Sequence, residues 1–307
     1  MQVHRNLDEL PLFNNAVITI GTFDGVHTGH QKIIDALIAS SHKVNGESII
    51  ITFHPHPRKI LNTNSSLQLI NTLEEKIKLL SEKSIDHLVV VPFTAEFAAL
   101  PAQNYIRDFL VKKFQPNTII IGYDHHFGKD RKGNFELLLR EKGQWNYDLI
   151  EIPKYVLDEI DISSTGIRTA ILESKIGIAN KLLGYSFFFE GTVVEGDQIG
   201  RTLGFPTANV AYTDEDKIQL GQGVYAAYVM VNTDRKKAML SIGDRPTLRD
   251  SSEKTEVHIL DFVGDLYGTS IVVFVEKYLR AQDKYDTLDI LKEQMLKDKF
   301  ETLRYLE

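Results

Sequence analysis

The sequence predicts two domains of different fold class, a doubly wound α/β domain followed by a six-stranded antiparallel β-barrel with a terminal helix. The length of 307 residues suits two domains. Strand and helix patterns alternate in the first half, which is the order that builds βαβ units and a parallel sheet. In the second half one β-rich run follows another, as in a small barrel. We place the domains at residues 1–182 and 183–307.

The strands of the first domain are predicted from short apolar runs that are rich in β-branched residues and bounded by turn residues. Such runs are typical of strands buried on both faces of a parallel sheet. Four of them lie at residues 16–20, 49–53, 87–92 and 118–122, and helical patterns lie at 31–39, 73–82, 102–113 and 135–142. The helix at 73–82 has an N-cap in Asn71-Thr72 and acidic residues in its first turn.

The second domain is predicted from β-rich runs separated by clusters of Gly or Asp, which mark turns. The five runs are residues 187–195, 224–231, 237–242, 255–262 and 270–276. A helical pattern at 287–303 ends the chain and is expected to close the barrel.

Composition excludes several classes of protein. Hydrophobic residues make up 43% and charged residues 25%, ordinary values for a globular chain, and no apolar run reaches the length of a membrane span. Cysteine is absent, so disulfides and thiolate zinc sites are excluded. The net charge of −7 without a basic stripe argues against nucleic-acid binding. We expect a cytoplasmic protein without a signal peptide, a membrane partner or a nucleic-acid partner.

The first candidate site is the sequence GTFDGVHTGH, which begins at Gly21 directly after the first predicted strand. Ligands of doubly wound sheets bind at this end of the strands, where Phe23 and Asp24 lead into a tight turn. The next helix presents free N–H groups to an anion, and His27 and His30 are spaced to share one face of its first turn. The pattern indicates a phosphate site. Surface histidines and a two-histidine metal site are the alternatives.

A second phosphate-binding element is predicted at residues 162–168, with the sequence ISSTGIR. Ser164 and Thr165 begin a polar helix, and Arg168 follows one turn later, a spacing suited to a triphosphate. An ordinary hydroxyl N-cap explains the same residues without a ligand. The chain has neither a P-loop motif nor the Gly-x-Gly-x-x-Gly pattern of dinucleotide sites.

The second candidate site is the sequence GRTLGFPTAN, which ends at Asn209. Thr207 offers a hydroxyl and Asn209 a carbonyl oxygen, both hard ligands suited to Mg²⁺. Glycine allows close approach of the backbone to a ligand and positive φ, and this region has Gly191, Gly196, Gly200 and Gly204. The alternative is a hairpin with glycine-rich turns.

Taken together, the first motif and the 162–168 element resemble the nucleotidyltransferase superfamily, which has a Rossmann-like doubly wound fold. The stretches TFHPHPR at 52–58 and GYDHHFGKDRKG at 122–133 make this half similar to the adenylyltransferase module of bacterial FAD synthetases. The resemblance implies that FMN and ATP give FAD and pyrophosphate, through in-line attack of the FMN phosphate on the α-phosphorus.

The same resemblance implies functions for individual residues of the first half. The ATP site would consist of Gly21, Phe23, Asp24, His27, His30, Ser164, Thr165 and Arg168. Flavin and phosphate would be bound near Asp124, Phe127 and Arg131. His54 occupies a position that is often acidic in the family, and no function is assigned to His54, His125 or His126.

The second motif is similar to the signature of riboflavin kinases. Further family segments follow in order, namely GVY at 223–225, SIGDRPT at 241–247, EVH at 256–258, DLYG at 265–268 and LR at 279–280. Ser241 replaces an asparagine that is common in the family. The resemblance implies transfer of the ATP γ-phosphate to the ribityl 5′-hydroxyl of riboflavin, with Glu256 as the base and Arg280 near the flavin or nucleotide phosphates.

By the same resemblance, ATP would be bound near Gly191, Gly200 and Gly204, with Thr207 and Asn209 as Mg²⁺ ligands. The alternative for Glu256 is a strand glutamate that faces solvent.

We therefore expect a bifunctional enzyme that uses ATP and Mg²⁺ to make FMN from riboflavin and FAD from FMN, and we predict no particular oligomeric state. An adenylyltransferase for another acceptor is one alternative, which loss of the kinase signature would have favoured. A flavin-sensing regulator is another. It would lack one of the two motifs or carry an added DNA-binding segment, and the sequence shows neither feature.

Overall fold

The computed structural model describes residues 1–62, 67–154, 156–157, 160–196, 200, 204–243 and 254–306. The chain forms two compact units, Met1–Ser163 and Ser164–Glu307. The first unit is a parallel α/β domain and the second contains a closed antiparallel barrel, so the predicted fold classes are confirmed.

The first unit is built on a six-stranded parallel sheet. Its strands are β1 (Gln2–His4), β2 (Val17–Ile20), β3 (Ser48–His54), β4 (His87–Pro92), β5 (Thr118–Gly122) and β6 (Asp148–Ile152). They lie in the order β1-β4-β3-β2-β5-β6, and a two-stranded pair of β7 (Val156–Leu157) and β8 (Ile160–Asp161) follows. From β2, the chain builds the sheet first in one direction, through β3 and β4, and then in the other, through β5 and β6. The change of direction between β2 and β5 is the switch point at which doubly wound sheets bind ligands.

Helices cover both faces of this sheet. They are α1 (Thr28–Lys43), α2 (Pro57–Leu61), α3 (Leu73–Ser81), α4 (Ala95–Ala98), α5 (Ala102–Asn104), α6 (Lys112–Phe114) and α7 (Phe135–Trp145), with a π-helical stretch at Tyr105–Val111 and a 3₁₀ turn at Lys129–Arg131. Ile34, Leu37 and Leu80 from α1 and α3 pack on one face of the sheet. Residues of the π-helical stretch and of α7 pack on the other.

The sequence prediction differs from this unit in two places. The helix expected at 102–113 is present but winds as a π-helix over Tyr105–Val111, with Tyr105, Ile106, Phe109 and Leu110 in the core. The edge strands β1 and β6 were not predicted. β1 has only three residues, and β6 is largely exposed, so neither has the apolar run that marks a central strand.

The second unit begins with α8 (Ser164–Leu172) and α9 (Ile176–Leu183) and continues into the barrel. The barrel strands are β9 (Phe188–Val194), β10 (Ala208–Tyr212), β11 (Gly223–Val231), β12 (Asp234–Gly243), β13 (Lys254–Ile259) and β14 (Ser270–Arg280), closed in the order β10-β13-β12-β11-β14-β9. Helix α10 (Leu288–Tyr305) packs Leu291, Met295 and Leu303 over Phe205, Met239 and Leu260.

Helices α8 and α9 are fastened to the barrel. The Asn180 side chain donates to the Val275 carbonyl at 2.8 Å and accepts from the Phe187 N–H at 2.7 Å. The Gly221 N–H donates to the Ile171 carbonyl at 3.2 Å. These contacts explain why the compact unit begins at Ser164, whereas the domain boundary between residues 182 and 183 stays a prediction. None of the helices in the described ranges is long and apolar enough to cross a membrane.

Candidate active sites

The first site is built on the loop that connects β2 to α1. The Val26 N–H donates to the Phe23 carbonyl at 3.2 Å, which closes a tight turn, and Phe23, Gly25 and Val26 all have positive φ. The Phe23 ring is buried and folds back over Gly21, where an added Cβ would lie 3.1 Å from it. A side chain at position 21 would therefore crowd the Phe23 ring, and Phe23 contributes to the core as well as to the loop.

His27 and His30 form a stacked pair at the N-terminus of α1. Their ring centroids are 3.6 Å apart, and the rings are inclined by 13°. The Nδ1 atom of His27 accepts the His30 backbone N–H at 3.2 Å and so caps the helix. Because Nδ1 is the acceptor, a neutral His27 ring carries its proton on Nε2, which stays a donor. The structure thus brings the two predicted histidines together at a helix N-terminus.

His30 is held in its neutral form. Burial lowers its pKa well below the usual value, and His27 and Lys76 act in the same direction. Within the described part of the chain, its Nδ1 atom is shielded from solvent and has no hydrogen-bond partner. A neutral imidazole can donate one hydrogen bond to a phosphate oxygen. Among the described residues, no group of three or more His, Asp or Glu side chains is arranged to hold a metal ion here.

Asp24 has a structural function in this loop. Its buried carboxylate accepts hydrogen bonds from the backbone N–H groups of Ile70 at 3.0 Å and Asn71 at 3.2 Å, directly before α3. Sequence reasoning missed Lys76, whose Nζ donates to the Thr22 carbonyl at 2.6 Å. The available signal was that Lys76 lies three residues after Leu73 and four before Leu80, on the apolar face of α3.

The predicted flavin-binding residues follow β5. Phe127 is buried and stacks on Tyr105 with ring centroids 4.9 Å apart, whereas Asp124 and Arg131 are exposed. Further aromatic rings form a continuous cluster beside this pair, namely Phe53, Phe93, Phe97 and Phe109. All six rings belong to the hydrophobic core of this unit or pack against it, and a flavin contact here stays a prediction.

His125 lies beside this aromatic cluster, with its ring 5.8 Å from that of Phe127. Burial lowers the pKa of His125 to about 4, assisted by His126 and Arg131, so the ring is neutral at pH 7. In the described ranges, neither its Nε2 atom nor the buried Tyr105 hydroxyl has a hydrogen-bond partner. Two unsatisfied polar atoms in one aromatic region are exceptional in a folded core, where such atoms are normally paired.

The residues predicted at 162–168 lie where a new helix starts. Helix α8 begins at Ser164, and Thr165 follows in its first turn. Arg168 is one turn further along and is 9% exposed, on the same helix as the buried Ile167 and Ile171. The predicted helix start is confirmed, and binding of a triphosphate by these side chains stays a prediction.

The second site is assembled by strand pairing in the barrel. Asn209 of β10 lies opposite Glu256 of β13, and Glu256 in turn lies opposite Ser241 of β12. Side chains at directly opposed positions lie on the same face of the sheet with Cβ atoms about 4.5–5.5 Å apart. Thr207 directly precedes β10 and lies two residues before Asn209. The register therefore brings Asn209 and the proposed base together, and the place of Thr207 at this site stays a prediction.

Glycines make room for these side chains. An added Cβ at Gly196 would collide with the Asn209 amide, and one at Gly200 would lie 3.2 Å from the Thr207 hydroxyl. Gly204 is exposed and has a φ of +84°. Gly191 instead packs against Val210 and the Ala211 carbonyl, so pairing between β9 and β10 explains it. Motif residues 197–199, 201–203 and 244–247 lie outside the described residues.

Arg280 forms an ion pair with Asp298 of the terminal helix. Its Nε and Nη2 atoms donate to the two carboxylate oxygens of Asp298 at 2.9 and 2.7 Å, and Nη1 donates to the Ala281 carbonyl. Asp298 is 5% exposed and also accepts from Gln294 at 2.9 Å. This geometry anchors α10 to the end of β14. A contact between Arg280 and a flavin or nucleotide stays a prediction.

The donor set of the second site fits a hard cation. The hydroxyl of Thr207 and the amide oxygen of Asn209 suit Mg²⁺, which commonly keeps waters and substrate phosphates as its other ligands. Among the residues that the structure describes, no group of three or more His, Asp or Glu side chains is arranged to hold a metal ion.

Comparison with known proteins gives the same two-part division. Residues 11–166 match the family model described as FAD synthetase, and residues 183–306 match the one described as riboflavin kinase. A bifunctional riboflavin kinase/FMN adenylyltransferase of Escherichia coli (strain K12) is 36% identical over 95% of this chain and 93% of its own. A bifunctional riboflavin kinase/FMN adenylyltransferase of Bacillus subtilis (strain 168) is 34% identical over 94% of this chain and 92% of its own.

A solved structure supports the fold over the whole chain. A crystal structure described as a macrolide-efflux protein from Streptococcus pneumoniae superimposes with a TM-score of 0.89 at 30% identity, covering 98% of both chains.

Proposed function

The chain belongs to the bifunctional riboflavin kinase/FMN adenylyltransferase family, and from this premise we propose which of its two sites catalyses each reaction. The chain phosphorylates riboflavin to FMN and adenylylates FMN to FAD. We assign adenylylation to the His27–His30 site and phosphorylation to the barrel face that carries Asn209 and Glu256. Macrolide efflux is not carried over, because both family models and both motifs match flavin enzymes.

The stacked pair of His27 and His30 is the observation that carries the first assignment. In the reaction, a phosphate oxygen of FMN attacks the α-phosphorus of ATP, and the bond to pyrophosphate breaks. No covalent enzyme intermediate is needed, so the protein contributes orientation and stabilisation of developing charge. The Nε2–H of His27, the imidazole of His30 and the N-terminus of α1 supply donors for that charge. Ser164, Thr165 and Arg168 are proposed to hold the triphosphate.

The register that places Glu256 beside Asn209 carries the second assignment. The ribityl 5′-hydroxyl of riboflavin is an unactivated alcohol, so a carboxylate that accepts its proton during attack on the γ-phosphorus is chemically reasonable. The new bond joins the 5′-oxygen to the γ-phosphorus, and ADP leaves. Ser241, next to Glu256, accepts a hydrogen bond from Gln282 at 2.6 Å, so we assign it no direct contact with substrate.

We propose that Thr207 and Asn209 hold Mg²⁺ together with ATP in this site. When bound, the ion neutralises charge on the phosphates during transfer. The substrates are riboflavin, FMN and ATP, and a cytoplasmic location is proposed because that compartment supplies the ATP for both reactions.

The test of the proposed function is a paired assay on one preparation. Incubation with riboflavin, ATP and Mg²⁺, followed by separation of the flavins, should yield FMN and then FAD. Chelation of the metal should stop phosphorylation. Production of FMN without FAD would remove the adenylyltransferase assignment, and conversion of added FMN but not of riboflavin would remove the kinase assignment.

A fragment of residues 164–307 should phosphorylate riboflavin and make no FAD, because it keeps the barrel and both helices that pack on it. A fragment of residues 183–307 loses the Asn180 hydrogen bonds and the apolar contacts of α8 and α9. We expect its melting temperature to be lower by at least about 4 °C, the shift that accompanies about 1 kcal/mol in a small domain. If the fragment of residues 164–307 folds but does not phosphorylate riboflavin, the assignment of the kinase site to this unit is wrong. Equal melting temperatures would show that α8 and α9 do not stabilise the barrel.

Gly196→Ala should impair phosphorylation, because the added methyl group displaces the Asn209 amide. A displacement of about 1 Å can cost on the order of 10² in rate. The measurement is riboflavin phosphorylation as a function of Mg²⁺ concentration, with Gly177→Ala as the control, since that position on α9 has open space for a methyl group. If Gly196→Ala phosphorylates riboflavin at the wild-type rate and with the wild-type Mg²⁺ dependence, Asn209 is not a ligand of the metal ion.

A further inference from the structure

Lys76 is a buried cation beneath the loop of the adenylylation site, and the assignments above give it no function. It lies on α3 and is 6% exposed. Its Nζ donates to the Thr22 carbonyl at 2.6 Å, and the Thr52 hydroxyl donates to the same oxygen at 3.1 Å. A peptide carbonyl has two lone pairs, so Lys76 and Thr52 together satisfy this acceptor. Thr22 immediately follows Gly21, so these bonds fix the direction of the loop as it leaves β2.

The loop is also hydrogen-bonded to the segment directly before α3. The Asp24 carboxylate accepts from the backbone N–H groups of Ile70 and Asn71. Thr72 then starts α3 with a capping box, in which its hydroxyl accepts from the Glu75 N–H and the Glu75 carboxylate accepts from the Thr72 N–H. Lys76 is thus held by a helix that is itself attached to the loop it supports.

The charge of Lys76 acts on the histidine pair. Burial lowers the pKa of Lys76 to about 8, while Asp24 acts in the opposite direction, so the ammonium form predominates at pH 7. The charge is near enough to His30 to lower the pKa of that ring, together with burial and with His27. His27 at the N-cap and Lys76 on α3 both lower the pKa of His30, and Asp24 in the loop raises that of Lys76. Burying an ammonium costs free energy that an apolar side chain would not, so packing alone does not explain a lysine here.

We propose that Lys76 is a positioning residue for FMN adenylylation, which fixes the Thr22 carbonyl and supplies a fixed positive charge behind the His27–His30 pair. This inference rests on the proposed assignment of adenylylation to the His27–His30 site. Lys76 acts through the loop and through the electrostatic potential of the site, and it takes no part in bond making.

The test compares Lys76→Met, which removes the charge, with Lys76→Arg, which keeps it, in the full-length protein. Lys78→Met is the matched control, because Lys78 is an exposed lysine of the same helix. FMN adenylylation is measured as kcat/KM for ATP between pH 6.5 and 9.5, since this ratio reports ionisations of the free enzyme. Riboflavin phosphorylation by the same preparation reports whether each variant is folded.

In the wild-type protein and in Lys78→Met, we expect kcat/KM to fall as pH rises through about 8, because the Lys76 ammonium is present below its pKa and lost above it. Phosphate groups, whose second pKa is about 6, do not change charge in that range. Lys76→Met should be lower by about 10² at pH 7 and should lack the fall near pH 8, since a misplaced loop can cost that factor. Lys76→Arg should retain more activity and also lack the fall, because a guanidinium stays charged.

Three results would overturn the inference. They are a wild-type profile that is level to pH 9.5, activity of Lys76→Met equal to that of Lys78→Met, and a loss in Lys76→Met that keeps the wild-type pH dependence. If Lys76→Met does not fold, the test is whether kcat/KM falls near pH 8 in the wild-type protein and does not fall in Lys76→Arg. Normal FAD synthesis after replacement of both histidines would instead overturn the site assignment, and this inference with it.

Discussion

Glu256→Gln should lower riboflavin phosphorylation by about 10²–10⁴, the usual effect of removing a general base. The amide keeps the shape of the side chain and its place opposite Asn209 but cannot accept the proton of the 5′-hydroxyl. ATP binding should change less than turnover, because the proposed nucleotide and metal contacts come from other residues. The measurement is kcat and KM for riboflavin and for ATP, with FMN adenylylation assayed on the same preparation.

Glu190→Gln is the control for this experiment. Glu190 is an exposed glutamate on β9 of the same barrel, where it accepts a hydrogen bond from Ser270 at 2.6 Å. Its replacement should leave both activities at the wild-type level. Normal phosphorylation by Glu256→Gln would show that Glu256 is a structural strand residue. Loss of both activities together would contradict the independence of the two sites.

Replacement of His27 or His30 by alanine should lower FAD formation from FMN by about 10²–10³, the cost of removing one donor aimed at developing charge. FMN formation from riboflavin should continue. His27 also caps α1, and loss of an N-cap typically costs about 1 kcal/mol of stability. His27→Asn distinguishes loss of the donor from loss of the helix cap, because asparagine is a good N-cap but has no imidazole.

His42→Ala is the matched control for the histidine variants, since His42 is exposed in the last turn of the same helix. It should make FAD at the wild-type rate. The decisive comparison is the rate of FMN adenylylation in all four variants at equal FMN and ATP. Undiminished FAD synthesis in a protein without both His27 and His30 would exclude this pair from the site.

The sequence alone was enough to predict both fold classes and the places of both motifs. Alternation of apolar runs with helical periodicity predicted the parallel sheet, and the succession of β-rich runs predicted the barrel. The motif that begins at Gly21 was expected at the end of a strand and before a helix, and it lies between β2 and α1. These features depend on neighbours along the chain, through turn formation, capping and side-chain periodicity, so they can be recognised locally.

Only the tertiary structure decided which side chains meet. Asn209 and Glu256 are 47 positions apart and become neighbours through the register of β10 and β13. The position of Lys76 on the apolar face of α3 indicates burial, but only the docking of α3 under the loop shows that its partner is the Thr22 carbonyl. Arg280 forms a two-point ion pair with Asp298 of α10, which lies 18 positions away and could not be paired with it from the sequence. Strand register, helix docking and burial are set by contacts between distant segments, which local propensities do not encode.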